Sequence, residues 1–350
     1  MINQKKIVVV EMLYPVGHKQ VDKKMIELLN SCCKVTVLNY KGFIQEDREL
    51  DNVSYIDLPL QILINRRQPL IQASIIFNLF IIKQILKNVE YDTLLFLSVN
   101  NFILGIIKRM FPQKKIFVMH HNDIDALKTD RMINAFKKNM NSVEHITFGD
   151  FIKHGLVNKT GCDSKKVFAI PLPITSSIID LNNTKERKKI IVGLGSSNDD
   201  EFIKKCIEID KENLFEVDYK IILRSSHLSY QGKVLNVITG YLDDETYNDY
   251  FLNSSAIIIC YPQHFKLRYS TTLIFAIAQN GRVLFNDFPM ARVESKNYPH
   301  NMQIFKNARD LFLLNNDFFE TNIDEEERNR YLKDHSDEII IEKIKEIFNC

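Results

Sequence analysis

Residues 256–287 read AIIICYPQHFKLRYSTTLIFAIAQNGRVLFND. The apolar run Ala256–Cys260, with three consecutive isoleucines, predicts a strand buried on both faces. A polar loop, Tyr261–Tyr269, leads to Ser270-Thr271-Thr272, which opens an apolar helix over 270–279; Arg282–Asn286 then returns as a second strand. Strand, helix and strand in that order make the repeating unit of a parallel sheet.

Outward from this stretch the same alternation covers the chain. In the second half, strands are expected at 189–194, 219–223 and 234–239, and helices at 199–210 and 243–253, the latter capped near its start by Asp243. In the first half, strands are expected at 6–12, 34–39, 53–58, 93–98, 115–120, 145–148 and 167–170. Helices are expected at 21–30, from Pro69, at 102–110, and at 150–158 with Asp150 as cap. Pro171-Leu172-Pro173 fixes an extended crossing, so the halves are expected to join near 171–187. The expected organisation is an α/β first domain over 1–172, a second over 187–335, and a last helix in 336–350 packing back across the junction. Two open parallel sheets of this kind place ligands at the carboxyl ends of their strands, in a crevice between the domains.

Composition narrows the class. At 350 residues, 45% hydrophobic and 26% charged, the chain is globular and suits two domains. Residues 1–170 carry 24 Lys and Arg against 16 Asp and Glu, a balance of +8, so the net +2 leaves −6 on the remainder. A basic first half suits an anionic partner such as a membrane surface or a phosphate-bearing acceptor, or simply a solvated face. Nucleic acid is disfavoured, because no long basic cluster with interleaved aromatics occurs. Lys5 and Lys6 run straight into Ile7–Val10, which is no secretory leader, so a cytoplasmic protein is expected. Gln68–Ile82 holds no charge and is flanked by Arg66, Arg67, Lys83 and Lys87; it reads as a buried helix or as one lying in a membrane interface at the inner face of the cell membrane. The six cysteines show no metal or redox spacing and read as reduced thiols.

Four segments carry candidate chemistry. Ser270, Thr271 and Thr272 at a helix start offer a cap and backbone N–H groups to an anion, and Arg268 with Tyr269 directly precedes them. Arg224, read as standing just past the strand 219–223 and followed by Ser225, adds a second cation for a diphosphate. Gly193-Leu194-Gly195 is a weak phosphate-loop pattern. In the first half, Gly17 permits a tight turn before His18, and His120-His121-Asn122-Asp123 follows a strand. Adjacent strand residues point to opposite faces, so only one of the two histidines is expected to reach the ligand. Asp123-Ile124-Asp125 has the spacing of a metal–diphosphate pair, a spacing that is also frequent by chance.

The chain resembles the glycosyltransferases of GT-B fold, particularly the family 4-like enzymes of bacterial capsule and O-antigen synthesis. Residues 237–245, 256–262 and 273–284 carry the resemblance, with 151–161 and 170–174 similar to the end of that family's first domain. It implies two Rossmann-like, doubly wound parallel-sheet domains facing a cleft. Where those enzymes carry two glutamates eight positions apart, this sequence has Leu267 and Phe275, neither of which accepts a hydrogen bond. The resemblance implies a metal-independent transferase moving a sugar from a nucleoside-diphosphate sugar, expected to be uridine-linked, to a glycan or lipid-linked acceptor. Arg224, Ser225, Arg268, Tyr269, Ser270, Thr271, Thr272 and Gly17 are the expected substrate-binding residues, and His18, His121 and Asp123 the expected catalytic ones. A non-catalytic transferase-like subunit and a nucleotide-sugar epimerase of the same fold are the alternatives.

Overall fold

The computed structural model describes residues 4–12, 19–40, 50, 52–59, 68–175, 187–240 and 242–350. It divides into two compact units. The first comprises Met1–Thr175, Leu267–Tyr269 and His335–Cys350, and the second Ser176–Lys266 and Ser270–Asp334.

The first unit contains β1 (Lys6–Val10), α1 (Lys19–Asn30), β2 (Lys34–Tyr40), β3 (Ser54–Leu58), α2 (Gln68–Ile85), β4 (Thr93–Phe96), α3 (Leu104–Met110), β5 (Lys115–His120), α4 (Asp130–Lys137), β6 (Glu144–Phe148), α5 (Asp150–Thr160) and β7 (Val167–Ile170). All of its strands pair in parallel, in the order β3-β2-β1-β4-β5-β6-β7. The strands are apolar and almost wholly buried because both faces are covered, as Val8, Val9, Leu94, Leu95, Phe117 and Val118 at 0% exposure illustrate.

The second unit contains β8 (Lys188–Gly193), α6 (Asp200–Glu212), β9 (Lys220–Ser225), β10 (Tyr230–Gln231), β11 (Leu235–Thr239), α7 (Asp244–Asn253), β12 (Ser254–Ile259), α8 (Thr271–Gln279), β13 (Val283–Asn286), α9 (Pro289–Asn297), β14 (Met302–Phe305), α10 (Asn316–Glu320) and α11 (Glu325–Asp334). Its sheet runs β10-β11-β9-β8-β12-β13-β14, with only β10 antiparallel. The last helix, α12 (Asp337–Phe348), lies in the first unit: Phe348 packs on Phe117 with ring centroids 4.7 Å apart, and Asp337 pairs with Lys24 of α1 at 2.7 Å. In each sheet the strand order reverses once, between β1 and β4 and between β8 and β12. With right-handed crossovers this winds helices onto both faces and opens a ligand crevice at the reversal.

Several elements differ from the sequence reading. Arg224 and Ser225 do not follow a strand; they are its last residues, paired with Ile238 and Thr239 of β11. Asp150 is not the cap of α5: that place belongs to Gly149, whose φ of 85° suits glycine, and Asp150 occupies the first turn. The loop expected after β5 contains α4, capped by the Thr129 hydroxyl accepting from the Met132 N–H. Of α2, Ile75, Asn78, Leu79 and Ile82 are buried, whereas Phe77 and Phe80 are more than half exposed. No helix among the described residues is long and apolar enough to cross a membrane.

Candidate functional site

In the second unit, the carboxyl ends of β8, β9, β11 and β12 and the start of α8 supply the candidate ligand-binding groups. Ser270 is the N-cap of α8, its hydroxyl accepting from the Leu273 N–H at 3.1 Å. Tyr261, just past β12, ties the helix start together. Its hydroxyl lies 2.9 Å from Ser270 Oγ and donates to Thr272 Oγ1 at 3.3 Å. Ser270 is therefore committed to capping and buried, Thr272 is half-buried, and Thr271 is exposed. With the Leu273 and Ile274 N–H groups donating to Ser270, what the helix offers an anion is the backbone N–H groups of Thr271 and Thr272 and the positive end of its dipole. At the opposite end, Arg328 of α11 donates from Nε to the Ile277 carbonyl at 2.9 Å and from Nη2 to the Ala278 carbonyl at 2.6 Å.

Arg224 sits at the end of β9, half-buried, its Nε donating to the Gly240 carbonyl at 2.7 Å. Its positive charge reaches Tyr247, whose hydroxyl is nevertheless pushed well up by burial. Ser225 Oγ donates to Asp200 Oδ1 at 2.6 Å and accepts from the His227 and Leu228 N–H groups, so it shapes the turn after β9. Between β8 and α6, Asn198 Nδ2 donates to the carbonyls of Gly193 (2.8 Å) and Arg224 (2.9 Å), tying two strand ends together. Gly193 is explained by packing, since a Cβ there would meet Ile258 Cγ2 at 2.6 Å. Phe275, expected from the resemblance to stand at a carboxylate position, lies against the fully buried Phe251 (5.0 Å) and against Tyr247 (6.0 Å) in an aromatic cluster.

Arg268, expected beside Arg224 on a diphosphate, has a different partner. In the first unit its Nε donates to Asp125 Oδ2 at 2.8 Å, and the Leu267 N–H donates to Asp125 Oδ1 at 2.8 Å. A nearly buried carboxylate thus grips the 267–269 segment in two places. Tyr269 packs on Phe151 (5.8 Å) and His335 (5.9 Å), and the Gly155 position is filled by Leu267.

The two histidines after β5 do go different ways. His120 is buried, Nδ1 2.6 Å from Asp123 Oδ2 and Nε2 2.8 Å from His145 Nδ1; His145 Nε2 lies 2.8 Å from the Met140 carbonyl. That carbonyl can only accept, so His145 carries its proton on Nε2. Burial first, and the charge of His120 second, push His145 down to about 3, so its bare Nδ1 accepts from His120 Nε2.

His121 points elsewhere, its Nε2 3.6 Å from Asp22 Oδ1. Asp22, on α1, is fully buried, and its carboxyl is raised well above the ordinary range by burial and then by Glu11. Glu11 follows β1 directly and is 1% exposed. Glu11, Asp22 and His121 form a buried acid–base cluster at the carboxyl end of the first sheet, which sequence reasoning found only in part. Its signal was an aspartate on the same helical face as Met25, Ile26 and Leu29. Gly17 and His18 lie outside the described residues.

No protein-family model matches the chain, and no curated protein sequence does. Solved structures do. A glycosyltransferase from Rickettsia africae ESF-5 superposes with a TM-score of 0.67 at 15% identity, covering 99% of this chain and 98% of that one. A lipopolysaccharide outer core galactosyltransferase gives 0.62 at 12% identity, over 98% and 99% of the two chains. A UDP-N-acetylglucosamine 2-epimerase from Rickettsia bellii gives 0.57 at 10% identity, over 99% and 98%. Likeness at such identities speaks for the fold and leaves the reaction to the residues.

Proposed function

We propose that this chain, a protein of the GT-B fold, transfers a sugar from a nucleoside-diphosphate sugar to a glycan or lipid-linked acceptor. The observation that carries the reading is the grouping, in the second unit, of Arg224 with the strand ends at the sheet's reversal and with α8. The α8 start meets a diphosphate with the backbone N–H groups of Thr271 and Thr272, and Arg224 neutralises charge on the leaving group without a metal. Tyr247 and Phe275, backed by the fully buried Phe251, offer an aromatic surface to the nucleoside, taken here to be uridine.

In the first unit His121 takes the proton of the acceptor hydroxyl. Asp22 and Glu11 hold it in position and tune it. The Asp123–His120–His145 chain anchors the segment bearing His121. A role in surface polysaccharide synthesis, at the inner face of the membrane, suits the basic first half and the exposed Phe77 and Phe80 near Lys83 and Lys87 on α2.

A thermal-shift screen against nucleoside diphosphates and nucleotide sugars, with and without chelator, tests this. Stabilisation by one nucleoside series, unchanged by chelator, is expected; no stabilisation by any member rejects the reading. The buried acid–base cluster, together with an epimerase among the proteins of like fold, keeps one second reading. An epimerase would convert the donor with no acceptor present, which product analysis of donor and protein alone decides.

A further inference from the structure

Away from both candidate sites, the fold brings Cys350 to the adjacent pair Cys32 and Cys33, which the sequence holds far from it. Cys32 and Cys33 lie in the turn from α1 to β2, with their N–H groups donating to the Leu29 carbonyl at 3.2 and 2.9 Å. Asn349 ends α12 in the left-handed region (φ 53°) and turns the chain so that Cys350 meets them. Cys33 Sγ stands 3.0 Å from Cys350 Sγ and 3.8 Å from Cys32 Sγ, and all three sulfurs fit within 4.8 Å of one another. The Lys24–Asp337 pair, 2.7 Å, joins the middle of α1 to the start of α12.

We propose that Cys32, Cys33 and Cys350 bind one thiophilic divalent ion of the zinc class, as a three-thiolate site. Bonds of about 2.3 Å to a tetrahedral ion place sulfurs roughly 3.8 Å apart, so the Cys32–Cys33 separation already fits and Cys350 need only ease back. Each thiol releases its proton to solvent as its sulfur bonds the ion. Cys33 is buried, Cys32 half-buried and Cys350 exposed, which leaves solvent a way in and a fourth position for water. Occupancy would fasten α12 to α1.

The test uses the full chain, reduced with a phosphine and desalted, then titrated with Cd²⁺ while the ultraviolet thiolate-to-cadmium band and the bound metal per chain are followed. One ion per chain is expected. Affinity should fall at least about tenfold in Cys33→Ser and in Cys350→Ser, and stay the same in Cys206→Ser, whose thiol is buried in the second unit. Cys350 is exposed, so its variant reads the site without disturbing the core. Wild-type failure to bind, equal binding by Cys350→Ser, or a Cys33–Cys350 disulfide whose reduction restores no uptake would each overturn the proposal.

Discussion

At residue scale, Asp22 is a carboxyl buried at the expense of stability. Its raised carboxyl means that the native state keeps a proton that the unfolded chain gives up, so stability is lost as pH climbs above the ordinary 3.8. Asp22→Asn is therefore expected to gain on the order of 1 kcal/mol in chemical denaturation at neutral pH, and to lose at least about tenfold in turnover. A variant that is both less stable and fully active contradicts this. His145 carries the opposite sign. Its lowered value means that the unfolded chain takes up protons the fold refuses, so stability falls as pH drops from 6.5 toward about 3, by up to about 1.4 kcal/mol per unit. Replacing His145 by Leu should remove that slope; an unchanged difference between pH 7 and pH 4 would refute it. Neither residue stood out in sequence, because burial of a titratable side chain is set by partners far along the chain. Asp22 was nevertheless visible as a charge on an apolar helical face.

At the scale of elements, α8 illustrates what sequence could and could not deliver. Its start was legible from Ser270-Thr271-Thr272, yet the three hydroxyls turn out to differ: one caps, one bonds Tyr261 and one faces solvent. Ser270→Ala should cost about 1 kcal/mol of stability, whereas Thr271→Ala should cost almost none, as measured by urea denaturation. Equal losses would mean that the cap is misassigned. The end of α8 at Gln279 was legible, but α11, which closes it, was not, because α11 inverts the usual pattern: it buries Glu327 and Arg328 along with Tyr331 and Leu332. Glu327 accepts from the His300 and Asn301 N–H groups, and Arg328 closes the α8 carbonyls. Hydrophobic periodicity has nothing to report where charges line the inner face. The central strands were read well for the opposite reason: they are apolar on both faces.

For the molecule as a whole, alternation of strand and helix was enough to reach two parallel sheets, and the structure adds where each sheet reverses. In each unit taken by itself, candidate residues lie at carboxyl ends of strands: Glu11 after β1 in the first and Arg224 at the end of β9 in the second. Arg268 is the chief revision. It pairs with Asp125, so the donor recognition proposed above rests on Arg224. The most direct test is a calorimetric titration of the wild-type chain and Arg224→Ala with the nucleoside diphosphate and nucleotide sugar that stabilise the protein most. Tight binding by the wild type is expected, weakened about ten- to hundredfold in the variant with its melting temperature unchanged. Equal affinity in the two proteins, or no binding by the wild type, would contradict the account.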